Sequence, residues 1–154
     1  MDRYQLSREH IEGISLLSDQ NWEYASSFFV YRQLRRHQFL VQKDEKVLYK
    51  YLIIKGLSKT YGIDAEGREL YFNLHLKITG QVILMHSSMT PATLYIDCIE
   101  DCKFFGISLR DWEKLCRNLP AMSDFFRIKA HFGYIALQER IFSLLTQTAQ
   151  QRYD

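Results

Sequence analysis

The sequence predicts a mixed α+β fold, with helices first, an antiparallel β-sandwich or roll in the middle, and one long helix at the end. Three observations carry this expectation. Residues from about Phe39 to Ser108 hold many short apolar and aromatic runs, separated by turn residues at near-regular spacing. Before them, Ile11, Ile14 and Leu17 stand at helical spacing. After them, apolar residues recur at threes, fours and sevens as far as about Gln150.

In the first stretch, to about Gln38, Ser7 is the expected N-cap and Ser18-Asp19-Gln20-Asn21 reads as a break. Trp22 through Phe29 reads as a second short helix. Arg32, Arg35, Arg36 and His37 form a basic cluster with Tyr31 and Leu34 beside it. It reads as the solvated face of a helix end rather than a nucleic-acid contact, because no aromatic platform accompanies it.

The middle stretch opens with Phe39-Leu40-Val41, then a polar turn at Lys43–Lys46. Tyr49–Ile54 is rich in β-formers, Gly56 punctuates it, and Leu57–Ile63 continues as a strand. Asp64-Ala65-Glu66-Gly67 is a hairpin turn with Gly67 at the left-handed position. Leu70–Phe72, Val82–Met85, Leu94–Ile96 and Phe104–Ile107 complete the strands.

Helical signals then return. Ser108-Leu109-Arg110-Asp111 fits a capping box, followed by Trp112, Leu115, Cys116 and Leu119 largely on one face. Pro120 suits the first turn of a new helix running to about Gln150, about 45 Å long at 1.5 Å per residue. Along it Phe125, Ile128, Phe132, Ile135, Phe142 and Leu145 form a stripe that Leu137, Ile141 and Leu144 widen. One face is expected to pack on the β-roll and the other to be covered by a second copy, giving a homodimer, because the stripe is too wide for one partner. The alternative is a helix lying wholly along its own roll. The expected division is 1–119 as the effector body and 120–154 as the dimerisation helix.

Composition bounds the rest. With 154 residues, 47% hydrophobic and 25% charged, a single globular body is the expectation. A formal charge of +2 exerts no strong pull on nucleic acid or membrane. No segment approaches the roughly 18 consecutive apolar residues of a membrane span. The N-terminus lacks the apolar core of a secretory signal, and three cysteines do not make a disulfide framework, so the cytoplasm is the expected compartment.

Four segments, in order, resemble the Crp/Fnr family of transcription regulators. Phe39–Glu45 with Tyr51-Leu52-Ile53-Ile54-Lys55-Gly56-Leu57 is similar to the family's opening strands, with Asp44 where the family usually has Gly. Tyr61–Leu70 resembles its second hairpin, and Pro91–Asp101 its P-[ST]-x-x-x-I-x-A-L-E-D segment. Leu137–Tyr153 is similar to the L-Q-E-R-I-x-S-L-L…R-Y run ending the dimer helix in a Bacteroidetes-like branch. The resemblance covers about residues 5–154. It implies a cyclic-nucleotide-binding-domain-like jelly roll (double-stranded β-helix), a homodimer, and a signal passed along the long helix. In the family a winged helix-turn-helix follows the R-Y motif. This sequence ends at Asp154, so DNA contact is expected only through a domain outside these residues.

The resemblance also supplies a test for the ligand. In cyclic-nucleotide-binding members, a Glu takes the ribose hydroxyl and an Arg neutralises the phosphate. Gly80-Gln81 stands at the G-E position and Ala92-Thr93 at the R-[ST] position. Charge-assisted hydrogen bonds contribute about 1.5–3 kcal/mol each, so losing the Arg should cost about ten- to a hundredfold in affinity. Cyclic AMP and cyclic GMP are therefore not the expected ligands. Gly80, Gln81, His86, Ser87, Ser88, Ala92, Thr93 and Tyr95 remain candidates for lining a pocket for another small molecule. The alternative, an ordinary polar loop without a ligand, is favoured by the absence of a charge partner.

No cofactor or metal is expected. Cys98 and Cys102, four apart, would lie about 13 Å apart along an extended strand, too far to share a metal, and read as buried structural thiols. No cysteine precedes Cys98, against an iron–sulfur cluster; His75 and His86 read as ordinary strand or loop histidines rather than haem ligands. The sequence holds no nucleophile elbow, P-loop or glycine-rich dinucleotide turn. A metal-dependent cupin-like enzyme would need an H-x-H cluster, and His10, His37, His75, His86 and His131 are scattered, so no catalysis is expected.

Overall fold

The computed structural model describes residues 3–76, 82–83 and 91–153. Two helices, α1 (Arg3–Glu12) and α2 (Asp19–Ser26), precede eight strands: β1 (Val30–Leu34), β2 (Phe39–Val41), β3 (Tyr49–Lys55), β4 (Leu57–Ile63), β5 (Glu69–Leu76), β6 (Val82–Ile83), β7 (Tyr95–Cys98) and β8 (Cys102–Ser108). Two more helices follow, α3 (Leu109–Asn118) and α4 (Pro120–Tyr153). The strands form two four-stranded antiparallel sheets, ordered β1-β8-β3-β6 and β2-β7-β4-β5.

Alternation along β3 and β8 divides the core in two. Tyr51, Ile53 and Phe104 of the first sheet face Leu40, Val41, Ile96 and Cys98 of the second, forming the roll interior. Leu52, Phe105 and Ile107 point the other way. There they are buried under Ile11, Ala25, Leu115, Met122, Phe125 and Phe126 from the four helices and Leu17 from the α1–α2 connection. Phe105 anchors this layer, with the rings of Tyr4, Phe29 and Tyr31 at 4.8, 6.1 and 6.0 Å. Lys50, on the same face, lays its ammonium 4.4 Å over the Trp112 ring, and burial lowers its pKa.

Local chemistry fixes several boundaries. Ser18 caps α2 by accepting from the Asn21 amide at 3.1 Å, so Ser18–Asn21 begins a helix where a break was expected. Ser7 lies inside α1, buried, instead of capping it. Ser108 accepts from the Asp111 amide at 3.1 Å and caps α3 as expected. In the β4–β5 turn Gly67 adopts φ +83°. The Asp64 carboxylate accepts from the Glu66 and Arg68 amides at 3.0 and 2.9 Å, and these backbone bonds hold it below the usual carboxylate range. Asp44 adopts φ +74°, the left-handed conformation that glycine takes most easily. Its amide donates to the Ala92 carbonyl at 2.7 Å.

The basic cluster corrects an expectation. Arg32 lies on strand β1, paired with Phe104, and not on a helix. Arg35–Gln38 forms the following turn, with His37 at φ +70°. Tertiary pairing with β8 overrides the helical reading here.

Candidate functional site

The roll interior is the first candidate. Of the residues expected to line a pocket, Gly80, Gln81, His86, Ser87 and Ser88 lie outside the described residues. Ala92 is buried in the interior cluster, its backbone tied to the Lys43–Lys46 turn by the Ala92 amide donating to the Glu45 carbonyl at 2.8 Å. Thr93 is exposed. Tyr95 stands on the face of β7 opposite Ile96 and Cys98. Its ring stacks on Tyr61 at 5.4 Å and tilts against Phe39 at 5.9 Å. The structure thus brings Ala92 to the interior and turns Tyr95 to the outer face.

Around Tyr61 that outer face carries charge. The Tyr61 hydroxyl donates to Asp97 at 3.4 Å, and Lys59 sits 3.9 Å from Asp97 and 3.5 Å from Glu69. Burial raises the pKa of Asp97. Burial, then the Asp97 charge, pushes Tyr61 up to about 12.

Among the described residues no Lys or Arg is buried, and the buried polar side chains are Ser7, Ser58, Thr60 and Asp97. Sequence reasoning missed one cation next to the interior. Arg32 pairs with Phe104 on the inward-facing side of the first sheet and donates to the Tyr51 hydroxyl at 2.7 Å. Gly106 lets the Tyr51 ring cross β8, since a Cβ there would meet Tyr51 Cε1 at 3.0 Å. The alternation Tyr31, Arg32, Leu34 was the available signal.

The two cysteines also depart from expectation. Residues 99–101 cross from the second sheet to the first instead of continuing one strand. Cys98 and Cys102 therefore lie fully buried in the same interior cluster, on either side of a crossover that meets the Leu57 carbonyl through the Ile99 amide and Cys102 Sγ. Cys102 Sγ also donates to the Leu57 and Glu100 carbonyls at 3.3 and 3.2 Å. Among the described residues no group of three or more His, Cys, Asp or Glu is placed to hold a metal.

Helix α4 is the second candidate, and its stripe divides. Phe125 is 1% exposed and packs edge-on against Phe126 and His10 at 5.2 and 6.0 Å. Its side chain belongs to the chain's own core, which corrects its assignment to an interface. Ile128 is half-buried. Phe132, Phe142 and Leu145 are 60, 72 and 66% exposed, and Ile135 is exposed too. Leu137, Ile141 and Leu144, which widen the stripe, are likewise exposed. The 34-residue helix is about 51 Å long and outruns the body that covers its first turns. No helix among the described residues is long and apolar enough to cross a membrane.

No protein-family model and no curated protein matches the chain. Solved structures do. The Thermus thermophilus catabolite activator protein aligns with TM-score 0.68 and 17% identity, over 90% of this chain and 63% of that one. A cyclic nucleotide-binding domain from Methylobacillus flagellatus aligns at TM-score 0.75 and 15% identity, over 94% and 83%. A CooA mutant from Carboxydothermus hydrogenoformans aligns at 0.72 and 17%, over 88% and 86%. The chain has the fold of cyclic-nucleotide-binding domains: mixed helix and antiparallel sheet with a long C-terminal helix. It spans 63% of the length of the Thermus protein.

Proposed function

We propose that this chain is the effector and dimerisation part of a Crp/Fnr-like transcription regulator. The observation that carries the reading is the bare apolar surface of α4, where Phe132, Ile135, Phe142 and Leu145 stand exposed beyond the body. Exposed apolar stripes of this length at helical spacing are covered in solution by another chain. The occupant proposed is a second copy, its α4 alongside. Likeness of fold to the catabolite activator and CooA supports a regulatory role rather than a catalytic one. Residues 1–119 with the first turns of α4 form the effector body, and the rest of α4 would carry a signal to a DNA-binding domain outside these residues. The cytoplasm is the compartment such a role requires.

Cyclic AMP and cyclic GMP are not the proposed effectors. Ala92 stands at the family's phosphate-binding arginine position, and its small buried side chain offers no charge. An uncharged small molecule, or no ligand, fits an interior in which no described Lys or Arg is buried. Light scattering should give twice the chain mass, and Phe142→Glu should halve it. A monomer at about 100 μM would sink the dimer reading, since a helix seam of this size supports micromolar or tighter pairing. Calorimetry should detect no cyclic nucleotide binding; micromolar affinity lost on blocking the interior would overturn that part.

A further inference from the structure

We propose that Cys98 and Cys102 form a peroxide-oxidisable dithiol that closes reversibly to an intramolecular disulfide joining the two sheets. Cys98 ends β7 and pairs with Ser58 in the second sheet, while Cys102 begins β8 and pairs with Leu34 in the first. The crossover between them is pinned on both sides. The Ile99 amide donates to the Leu57 carbonyl at 2.9 Å, the Arg36 amide to Asp101 Oδ1 at 2.8 Å, and the His37 amide to the Cys98 carbonyl at 2.7 Å. Both thiols are fully buried in one cluster, and the Leu57 carbonyl holds the Ile99 amide and Cys102 Sγ together, so a fixed backbone keeps the pair close to disulfide geometry.

Access is the second observation. An open cavity of about 400 Å³ lies outside the crossover, lined by Arg36, Lys55, Gly56, Glu100 and Asp101. Gly56 is its wall toward the dithiol: at φ +102° it has no side chain, and a Cβ there would stand 2.7 Å from Cys102 Sγ. A small neutral oxidant of the hydroperoxide class fits this route better than a bulky disulfide. The pair is also asymmetric. Cys102 Sγ lies against Gly56, a wall of the cavity, so Cys102 meets the oxidant first and attacks, and Cys98 resolves.

The chemistry balances with hydrogen peroxide as oxidant. Cys102 sulfur attacks one peroxide oxygen; the S–O bond forms, the O–O bond breaks, and the departing hydroxide takes the proton that Cys102 released. Cys98 sulfur then attacks the sulfenic sulfur; the S–S bond forms, the S–O bond breaks, and the leaving hydroxide departs with the Cys98 proton as a second water. Two thiols lose two electrons and the peroxide gains them.

The test exposes the native chain to hydrogen peroxide, then denatures it in iodoacetamide for mass spectrometry. The expected result is a loss of about 2 Da with Cys98 and Cys102 protected, Cys116 alkylated, and full reversal by dithiothreitol. Cys98→Ser should trap a dimedone-reactive sulfenic acid at Cys102, and Cys116→Ser should behave as wild type. The inference fails if Cys98 and Cys102 stay alkylatable under peroxide that oxidises Cys116. It fails equally if wild-type Cys102 advances to sulfinic acid, or if the disulfide forms only after denaturation.

Discussion

The two ends of α4 carry the same kinds of side chain and meet opposite fates. Met122, Phe125 and Phe126 are sealed against the helix-covered face of the first sheet, whereas Phe132, Phe142 and Leu145 stand in solvent. Residue type does not separate them; the body simply ends while the helix continues, at 1.5 Å per residue. Apolar character in a helix therefore reports that something must cover it, and only packing tells whether the cover is the same chain or another.

Substitutions at the two ends should differ in kind. Phe125→Ala should cost about 3–5 kcal/mol of folding stability, as an emptied aromatic core site does, and urea unfolding should show it at every protein concentration. The double change Phe142→Glu with Leu145→Glu should alter monomer stability by only about 0.5 kcal/mol. It should weaken association by at least about 2 kcal/mol, read by sedimentation. Equal effects on folding from both would erase the distinction.

Two roll substitutions serve as controls that change the body and leave association alone. Asp97 is a carboxyl whose pKa burial raises in the fold. The folded state binds its proton more tightly, so its contribution favours folding most below the unfolded pKa and declines as pH rises through the folded value. Asp97→Asn should remove that pH slope and shift neutral-pH stability by about 1 kcal/mol or less, because the loss of the Lys59 pairing opposes the gain. Denaturant midpoints across the acid range measure it. Smallest of all, Asp44→Gly should stabilise the roll by up to about 1 kcal/mol, since glycine takes φ +74° without strain. Thermal melting reads this as a rise in Tm.

Much of the fold was legible because its signals are local. The Ser108 cap, the Gly67 turn and the β4 span were placed by neighbours a few residues away. Strand β1 was not, because Val30–Leu34 becomes a strand only by pairing with β8, far along the chain. The closeness of Cys98 and Cys102 was hidden for a related reason. Whether residues 99–101 continue a strand or cross between sheets depends on the carbonyl of Leu57 and the amide of Arg36, which hold the crossover. Tyr95 followed the rule of alternation, which the family frame had obscured: once Ile96 is inside, its neighbour must face out.

Cysteine cross-linking at Phe142 tests the central claim most directly. In a two-fold helix pair, a residue on the seam meets its own copy, with Cα atoms about 4.4–6.8 Å apart when a disulfide can form. With Cys98, Cys102 and Cys116 replaced by Ser, Phe142→Cys should oxidise to a covalent dimer within minutes, while Ser143→Cys should remain monomeric on denaturing gels. If both positions cross-link alike, or neither does, a second copy does not cover this face of α4.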